Sequence, residues 1–435
     1  MENYVKLALK LGADDVIVER FFGISKQLRF ANNTMTALQT WNSDRLKIFL
    51  VWKGRVVRTV LDINTKEMVT ETIKNLLRTA RSLKPSLDYY GIAEGPFKYK
   101  KIKDAYDSSI ENINIADKVE AAMNAALGYS KKTAGVLYSN VYNRELFTST
   151  NVEAKEKISS IELSLRAFNE KDESGHASMS SRTLDNFDPE SVGEKAGLIS
   201  QMAKNPKGGQ KGMFDVVFDP LSAADIIAHV GRFASAFAVD SGFSFLKDKI
   251  GKKVGSNVVT LKDGGDVPNG LYSSIFDEEG VPTQTTTIIE RGILKTYLHN
   301  TSTARKYRTK TTANAGLIAP ASSNVILQKG KISSDELFKE VKNGLYITNV
   351  WYTRFQNYLK GDFSTIPRDG VFLIKNGEIA QSIKGIRISD NLENIMKNVV
   401  AISDKPEWIH WWEVTTPVLT PYVLVKKVNI TLPTM

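Results

Sequence analysis

The sequence predicts an α+β fold in two parts: an antiparallel sheet carrying long helices, then a β-rich second half. Three observations carry this. Residues 14–62 hold five successive runs rich in β-branched and aromatic residues, which read as an antiparallel meander. Helix signals at 2–11, 64–82, 115–130 and 189–203 interrupt the strand pattern of the first half. A breaker-rich segment, KNPKGGQKG at 204–212, precedes a half dominated by short strand-like runs with Gly and Pro turns. With 435 residues and roughly 150 per domain, the expected domains are 1–205 and 206–435.

Taken in order, residues 2–11 have helix-like apolar spacing and Gly12 stops them. DDVIVERF, SKQLRFANN, MTALQTW, RLKIFLVW and RVVRTVLD follow as separate short strands. Asn64 and Glu67 form a capping-box pattern that opens a helix reaching residue 82. After the helix at 115–130 come strands in VLYSNVYNRELFTST, ISSIELSLRAFN and HASMSSRTLD, then the helix at 189–203. The segment 204–212 lacks the GxxxxGK[ST] spacing of a phosphate loop and reads as a linker. MFDVVFDP is a strand, and the stretch after it is helical.

Composition excludes several chemistries. There is no cysteine, hence no disulfide, no thiolate nucleophile and no Cys-ligated metal. The formal charge of +10 is spread among interleaved acids and bases, without a block of like charge. This reads as a solvated surface and makes nucleic acid an unlikely partner. No apolar run approaches the ~18 residues of a membrane span, and the N-terminus lacks a signal-peptide pattern. A cytoplasmic protein is expected, with no membrane partner.

The helix after MFDVVFDP reads ADIIAHVGRFASAF at 224–237. Ser222 and Asp225 fit a cap, and Ile226, Val230, Phe233 and Phe237 fall on one face. His229 sits about 60° off that stripe, at ~100° per residue. A zinc helix of the HExxH type needs a glutamate next and a second histidine four residues on; those places hold Val230 and Phe233. His176, His299 and His410 are isolated in sequence. The plain reading of His229 is a half-buried structural histidine.

IFDEEGVPTQTTTIIERGILKTYL at 275–298 resembles the signature of the TldD/TldE (PmbA) family, an acidic pair, EGxPTQ, a strand, a tight turn and LKxYL. Further pieces agree in order: GADDVIVERFFG, FDVVFDP with its helix, KIGKKVGSNVVTLKDGG, GDFS at 361–364, FLIKNGEIAQSIKGIRISDN and TPYVLVKKVNI. The resemblance spans essentially the whole chain. In that family TldD-type chains carry HExxxH and resemble zinc metallopeptidases, whereas TldE-type chains lack it and pair with a TldD-type partner. His229, Val230 and Phe233 then mark a degenerate zinc-helix position. The resemblance implies a TldE-type subunit with no cofactor of its own and no catalytic residue. Zinc is expected on the TldD-type partner, in a heterodimer acting on short or unfolded peptides, with a homodimer possible for the chain alone. It also implies a peptide cleft shaped by Asp277, Glu278, Glu279, Gly280, Pro282, Thr283, Gln284 and Asp362.

Each of these residues has a plainer reading. The acidic trio 277–279 is otherwise a solvated turn bent by Gly280 and Pro282. Asp362 and Ser364 are otherwise a turn, with no histidine nearby in sequence to activate the serine. EWIHWWEV at 407–414 is core or subunit interface. The rival functions are an autonomous homodimeric peptidase using His229, His410 and the acidic trio, or a binding protein without catalysis, like a gyrase modulator.

Overall fold

The computed structural model describes residues 1–62, 65–316 and 318–433. The first part of the chain runs α1 Glu2–Lys10, β1 Asp15–Ala31, β2 Thr34–Trp52, β3 Arg55–Asp62, α2 Lys66–Ser82, α3 Ile115–Leu127, β4 Lys132–Thr148, β5 Glu153–Phe168, β6 Ser174–Ser181 and α4 Pro189–Met202. Its strands form one antiparallel sheet in the order β3-β2-β1-β4-β5-β6. The mixed α+β architecture is the one the sequence predicts.

The expected short strands are in fact long ones. DDVIVERF and SKQLRFANN fuse into β1, and MTALQTW and RLKIFLVW into β2. Gly23 and Asn42-Ser43 do not turn the chain, because ladder pairs continue through them: Gly23 opposes Ser43 on one side and Tyr142 on the other. The turn falls later, at Asn32 and Asn33, whose φ values of 50° and 62° suit the two-residue hairpin between β1 and β2.

Helices cover one side of the sheet. Val69, Ile73, Leu77 and Ala80 form the buried face of α2, spaced four, four and three apart. Thr65 caps this helix by accepting from the Met68 N–H at 3.2 Å. The cap predicted at Asn64 lies outside the described residues, and Glu67 sits in the first turn. Helices α3 and α4 pack on each other and on Leu28, Phe30, Leu137 and Leu163. Their approach is close: a Cβ on Gly193 would stand 2.0 Å from the Ala122 carbonyl oxygen.

The second part continues with β7 Lys207–Gly208, β8 Gly212–Phe218, α5 Pro220–Phe233, α6 Ala236–Asp240, β9 Leu261–Gly264, β10 Thr285–Glu290, β11 Ile293–Leu294, α7 Thr301–Lys306, β12 Val325–Leu327 and α8 Ser334–Lys339. It ends with β13 Asn343–Asn357, β14 Asp362–Lys375, β15 Glu378–Lys384, β16 Arg387–Asn391, α9 Leu392–Lys397, β17 Val399–Ile402, β18 Glu407–Ile409, β19 Val418–Thr420 and β20 Val423–Thr431. One sheet runs β11-β10-β9-β12-β19-β18. In the other, β13, β8, β20, β16 and β14 pair in sequence, and β14 pairs back to β13, so five strands close into a ring. Closure satisfies edges that would otherwise be open. The segment expected as a plain linker contains β7, which pairs in parallel with β15.

Helix α5 contacts strands of both these sheets, among them β13, β12 and β19. It is apolar nearly all round, as a helix enclosed on every side must be. Its N-cap is Asp219, which accepts from the Leu221 N–H at 3.0 Å, with Pro220 in the first turn. This corrects the Ser222–Asp225 cap: Ser222 is inside the helix and donates to the Ile347 carbonyl at 2.7 Å. Phe237 also leaves the predicted stripe, because α5 ends at Phe233 and Phe237 is an exposed residue of α6.

Substituting Gly193→Ala must push α4 off α3. A loss of about 1–3 kcal/mol in urea denaturation is expected, the usual cost of overpacking; an unchanged midpoint would contradict this packing.

Candidate functional site

A cleft of about 450 Å³ lies between the side of the first sheet opposite the helices and loops of the second part. Its floor is a charged ladder. Glu19 on β1 directly opposes Lys47 on β2, and Arg144 on β4 directly opposes Glu156 on β5. Arg144 Nη2 meets Glu19 Oε1 at 2.8 Å, Nη1 meets Glu156 Oε1 at 2.7 Å, and Nη1 donates to Ser274 Oγ at 2.6 Å. Its guanidinium carbon lies 4.5 Å from the centre of the Phe276 ring. Lys47 Nζ bridges Glu19 Oε2 at 2.9 Å and Glu278 Oε1 at 2.8 Å. Burial alone would raise the Glu19 carboxyl, but Arg144 and Lys47 outweigh it and hold the group below its ordinary value. Arg144 is likewise held protonated, its desolvation offset by Glu19 and Glu156.

This ladder anchors the 275–284 loop. Asp277 is buried, and its Oδ1 accepts from the N–H groups of Glu279 and Val281, both at 2.9 Å, while Oδ2 accepts from Ala315 N–H at 3.0 Å. Glu279 is buried as well and accepts from Thr301 N–H at 3.2 Å. Burial raises both carboxyls. The three amides favour a charged Asp277, and that charge adds to the burial of Glu279, so Glu279 keeps the proton more firmly. The trio is therefore no solvated turn. Gly280 has φ +81°, and a Cβ there would stand 2.4 Å from Val152 Cγ1. Asp277, Glu278 and Thr283 line the cleft. Glu279, Gly280 and Pro282 shape the loop behind it, Gln284 is exposed beyond it, and none of these four is in the lining.

Asp362 stands elsewhere. It opens β14 rather than forming a turn, and accepts from Asn391 Nδ2 at 2.9 Å. Ser364, on the same strand, is buried and accepts from Gln356 at 3.1 Å and Arg387 at 3.2 Å.

The far wall of the cleft brings in His410, which sequence leaves isolated. Its Nδ1 pairs with the Glu162 carboxylate from β5, and its Nε2 lies 3.2 Å from the Tyr272 hydroxyl. Trp411 is buried against His176 and Trp351, whereas Trp412 is exposed. Two further cleft atoms lack partners among the described residues: Asn314 Oδ1 and Ser322 Oγ, both buried. The Asn314 amide is oriented by its other end, which donates to Asp263 Oδ2 at 2.6 Å and Ala321 O at 3.0 Å. An unpaired buried acceptor costs about 1–3 kcal/mol, so a ligand donor there is favoured.

His229 is not in the cleft lining. Its ring meets Phe355 edge-on at 4.9 Å and Val230 is fully buried. Burial lowers the imidazole to about 4, with Arg232 and Arg354 adding to the shift. The residue five on, Ala234, is also buried. One imidazole among phenyl rings and arginines does not fit a zinc ion, which takes several converging ligands. Among the described residues, no three His, Cys, Asp or Glu side chains stand close enough to hold a metal. One turn before His229, buried Asp225 accepts from Thr353 Oγ1 at 2.6 Å. Its other oxygen has no partner among the described residues, and burial raises the carboxyl to about 7.

Sequence reasoning missed Glu19, Lys47, Arg144, Glu156, Glu162 and Tyr272. The available signal was charge at inward positions of apolar strands, as in VIVER and RLKIF. Which strand would supply the opposite charge was not readable.

Comparison with known proteins gives the family and the fold. The PmbA/TldA metallopeptidase C-terminal domain matches residues 211–432, and the central domain of the same family matches 108–201. The chain belongs to the PmbA/TldD family. A metalloprotease of Methanocaldococcus jannaschii is 28% identical over 357 residues, 77% of this chain and 78% of that one. A PmbA homolog of Buchnera aphidicola is 31% identical over 232 residues, 52% of this chain and 49% of its own length. TldE from Thermococcus kodakarensis shares the fold, with a TM-score of 0.89 over 99% of both chains at 21% identity. Among the described residues no helix is long and apolar enough to cross a membrane.

Arg144→Leu leaves Glu156 buried without its cation and Glu19 with Lys47 alone. The expected loss is about 3–5 kcal/mol in chemical denaturation; a loss below about 1 kcal/mol would mean the ladder is not a buried ion network. Asp225→Asn addresses pH. The native group binds its proton up to about pH 7 and the unfolded one only to about 4. Its stabilisation is thus full at acid pH and is lost as pH rises through 7. The stability difference, variant minus wild type, is expected to rise between pH 5 and 8 by on the order of 1 kcal/mol or more; a flat difference would show Asp225 ionised throughout.

Proposed function

We propose that this chain is the TldE/PmbA-type subunit of a two-subunit metallopeptidase acting on short or unfolded peptides. It contributes walls of the peptide chamber, and a TldD-type partner contributes the zinc. The observation that carries this reading is the helix position itself: His229 faces Phe355, and the places of a following glutamate and a second ligand are taken by buried Val230 and Ala234. A general base and converging ligands are the two things metal-assisted hydrolysis requires of a protein.

The cleft supports the substrate class. It is lined by apolar and polar groups together, and it holds oriented polar atoms without partners, suited to a peptide's main-chain N–H groups. The relatives support the partner class: Buchnera aphidicola has both a PmbA homolog and a TldD homolog, each 31% identical to this chain over the matched segment.

The test is zinc content and peptide cleavage, measured on the chain alone and with the TldD-type relative of the same organism. The chain alone is expected to hold near zero zinc and cleave nothing. The pair is expected to cleave an unfolded peptide with zinc on the partner, and His229→Ala in this chain to change the rate less than about twofold. About one zinc per isolated chain, lost in His229→Ala, would overturn the proposal.

A further inference from the structure

The charged floor of the cleft carries one carboxylate more than its cations balance. Along its contacts it alternates Glu278, Lys47, Glu19, Arg144, Glu156, each paired to the next at 2.7 to 2.9 Å. Three carboxylates thus share two cations. The series is closed off at Glu156, whose side chain is 5% exposed, and opens at Glu278, which is 29% exposed and lines the cleft.

The remaining charges do not correct this. Asp277 and Glu162 also line the cleft, and Asp277 is held charged by its three amide donors. Behind the floor, the Arg182 guanidinium donates to the Gly270, Leu271 and Ser273 carbonyls. Setting Glu19, Glu156, Glu162, Asp277 and Glu278 against Lys47, Arg144 and Arg182 leaves two negative charges in excess, and still one with His410 protonated. The chain as a whole is at +10. A negative cleft in a basic protein concentrates cations from solution.

Oxygens without donors stand in the same cleft. Asn314 is 3% exposed and lines the cleft, and its Oδ1 has no partner among the described residues. Ser322 Oγ is likewise buried and without a partner there. The turn that carries Asn314 also faces the open end of the series: a Cβ on Gly316 would stand 3.8 Å from Glu278 Oε2. An amide oxygen only accepts, so what it lacks is a donor. A main-chain N–H satisfies the oxygen alone, whereas a charged N–H group satisfies the oxygen and the charge excess together. Phe21 and Tyr142, with ring centres 4.3 Å apart, add an aromatic surface to the lining on which an alkyl stem can lie.

We infer that the cleft is a seat for a positively charged N–H group of a peptide, an ammonium or a guanidinium, received by Glu278 and Asn314 with Glu162 on the far wall. A metal ion is the poorer fit, because no three His, Cys, Asp or Glu side chains converge among the described residues. The inference rests on the reading that the cleft takes peptides. It depends on neither the zinc nor the partner subunit.

The test is isothermal titration calorimetry on the full chain alone, with short, unstructured Gly/Ser peptides amidated at the C-terminus. Three acetylated peptides carry lysine, arginine or glutamate at one central position, a fourth carries serine there, and a fifth is the serine peptide with a free amine. Lysine and arginine are expected to bind about tenfold or more tighter than acetylated serine, the effect of one charge-assisted hydrogen bond, and glutamate more weakly than serine. The fifth peptide separates the sources: a gain there seats a chain N-terminus, and a gain with lysine or arginine seats a side chain. Glu278→Gln removes the excess charge and is expected to bring lysine within about twofold of serine. Glu162→Gln leaves the alternating series and the 275–284 loop in place, and is expected to cut the lysine preference about threefold or more; it decides the matter where Glu278→Gln fails to fold. Equal affinities for the lysine, serine, free-amine and glutamate peptides would overturn the inference and leave the peptide reading standing. So would a preference that either folded variant keeps in full. Binding of no peptide at all would overturn the peptide reading, and the inference with it.

Discussion

The buried guanidinium of Arg144 is the constraint on which the rest of the cleft depends. It reaches carboxylates on β1 and β5, a hydroxyl at Ser274 and the face of Phe276. A cation at 12% exposure is tolerable only with such compensation. The compensation links a rigid sheet to a loop without regular structure of its own. Lys47 repeats the link from β2 to Glu278. The sheet thereby dictates where the 275–284 loop sits, and the loop's inward carboxylates, Asp277 and Glu279, organise the chain around 301 and 315 in turn.

A second polar cluster ties the parts together away from the cleft. Lys195 on α4 is half-buried between Asp219 at 3.2 Å and Glu407 at 3.0 Å, and Asp219 also accepts from the Tyr346 hydroxyl at 2.8 Å. Burial alone would discharge the lysine, but the two carboxylates hold it protonated. Asp219 caps α5 as well, so the helix with His229 takes its position from the same group that docks α4. Around His229 the helix is packed by the Phe355 ring and by its own buried Val230 and Phe233.

The first sheet thus presents a helix-free side and an open edge. Its helix-free side makes the cleft floor, and the open part of its β2 edge, residues 34–43, is uncharged. Both depend on the length of β1 and β2, which run well past the point where β3 ends. Shorter strands would have left neither the extended floor nor the open edge.

By itself the sequence determined the α+β class and most helix positions. These are local properties: apolar period and β-branched composition. Family membership was legible too, because GVPTQ and its companions keep their order along the chain. Tertiary structure decided the rest. Strand continuity through Gly23 came from pairing on both sides, and through Asn42 from its ladder to β1, which overrides the local turn preference. The cap of α5 went to Asp219 because the strand before it ends there, not to the S-x-x-D pattern inside the helix. Above all, Glu19, Lys47, Arg144 and Glu156 are far apart in sequence and meet only through register. A ladder of opposite charges exists only once four strands are aligned, and alignment is a property of the whole sheet.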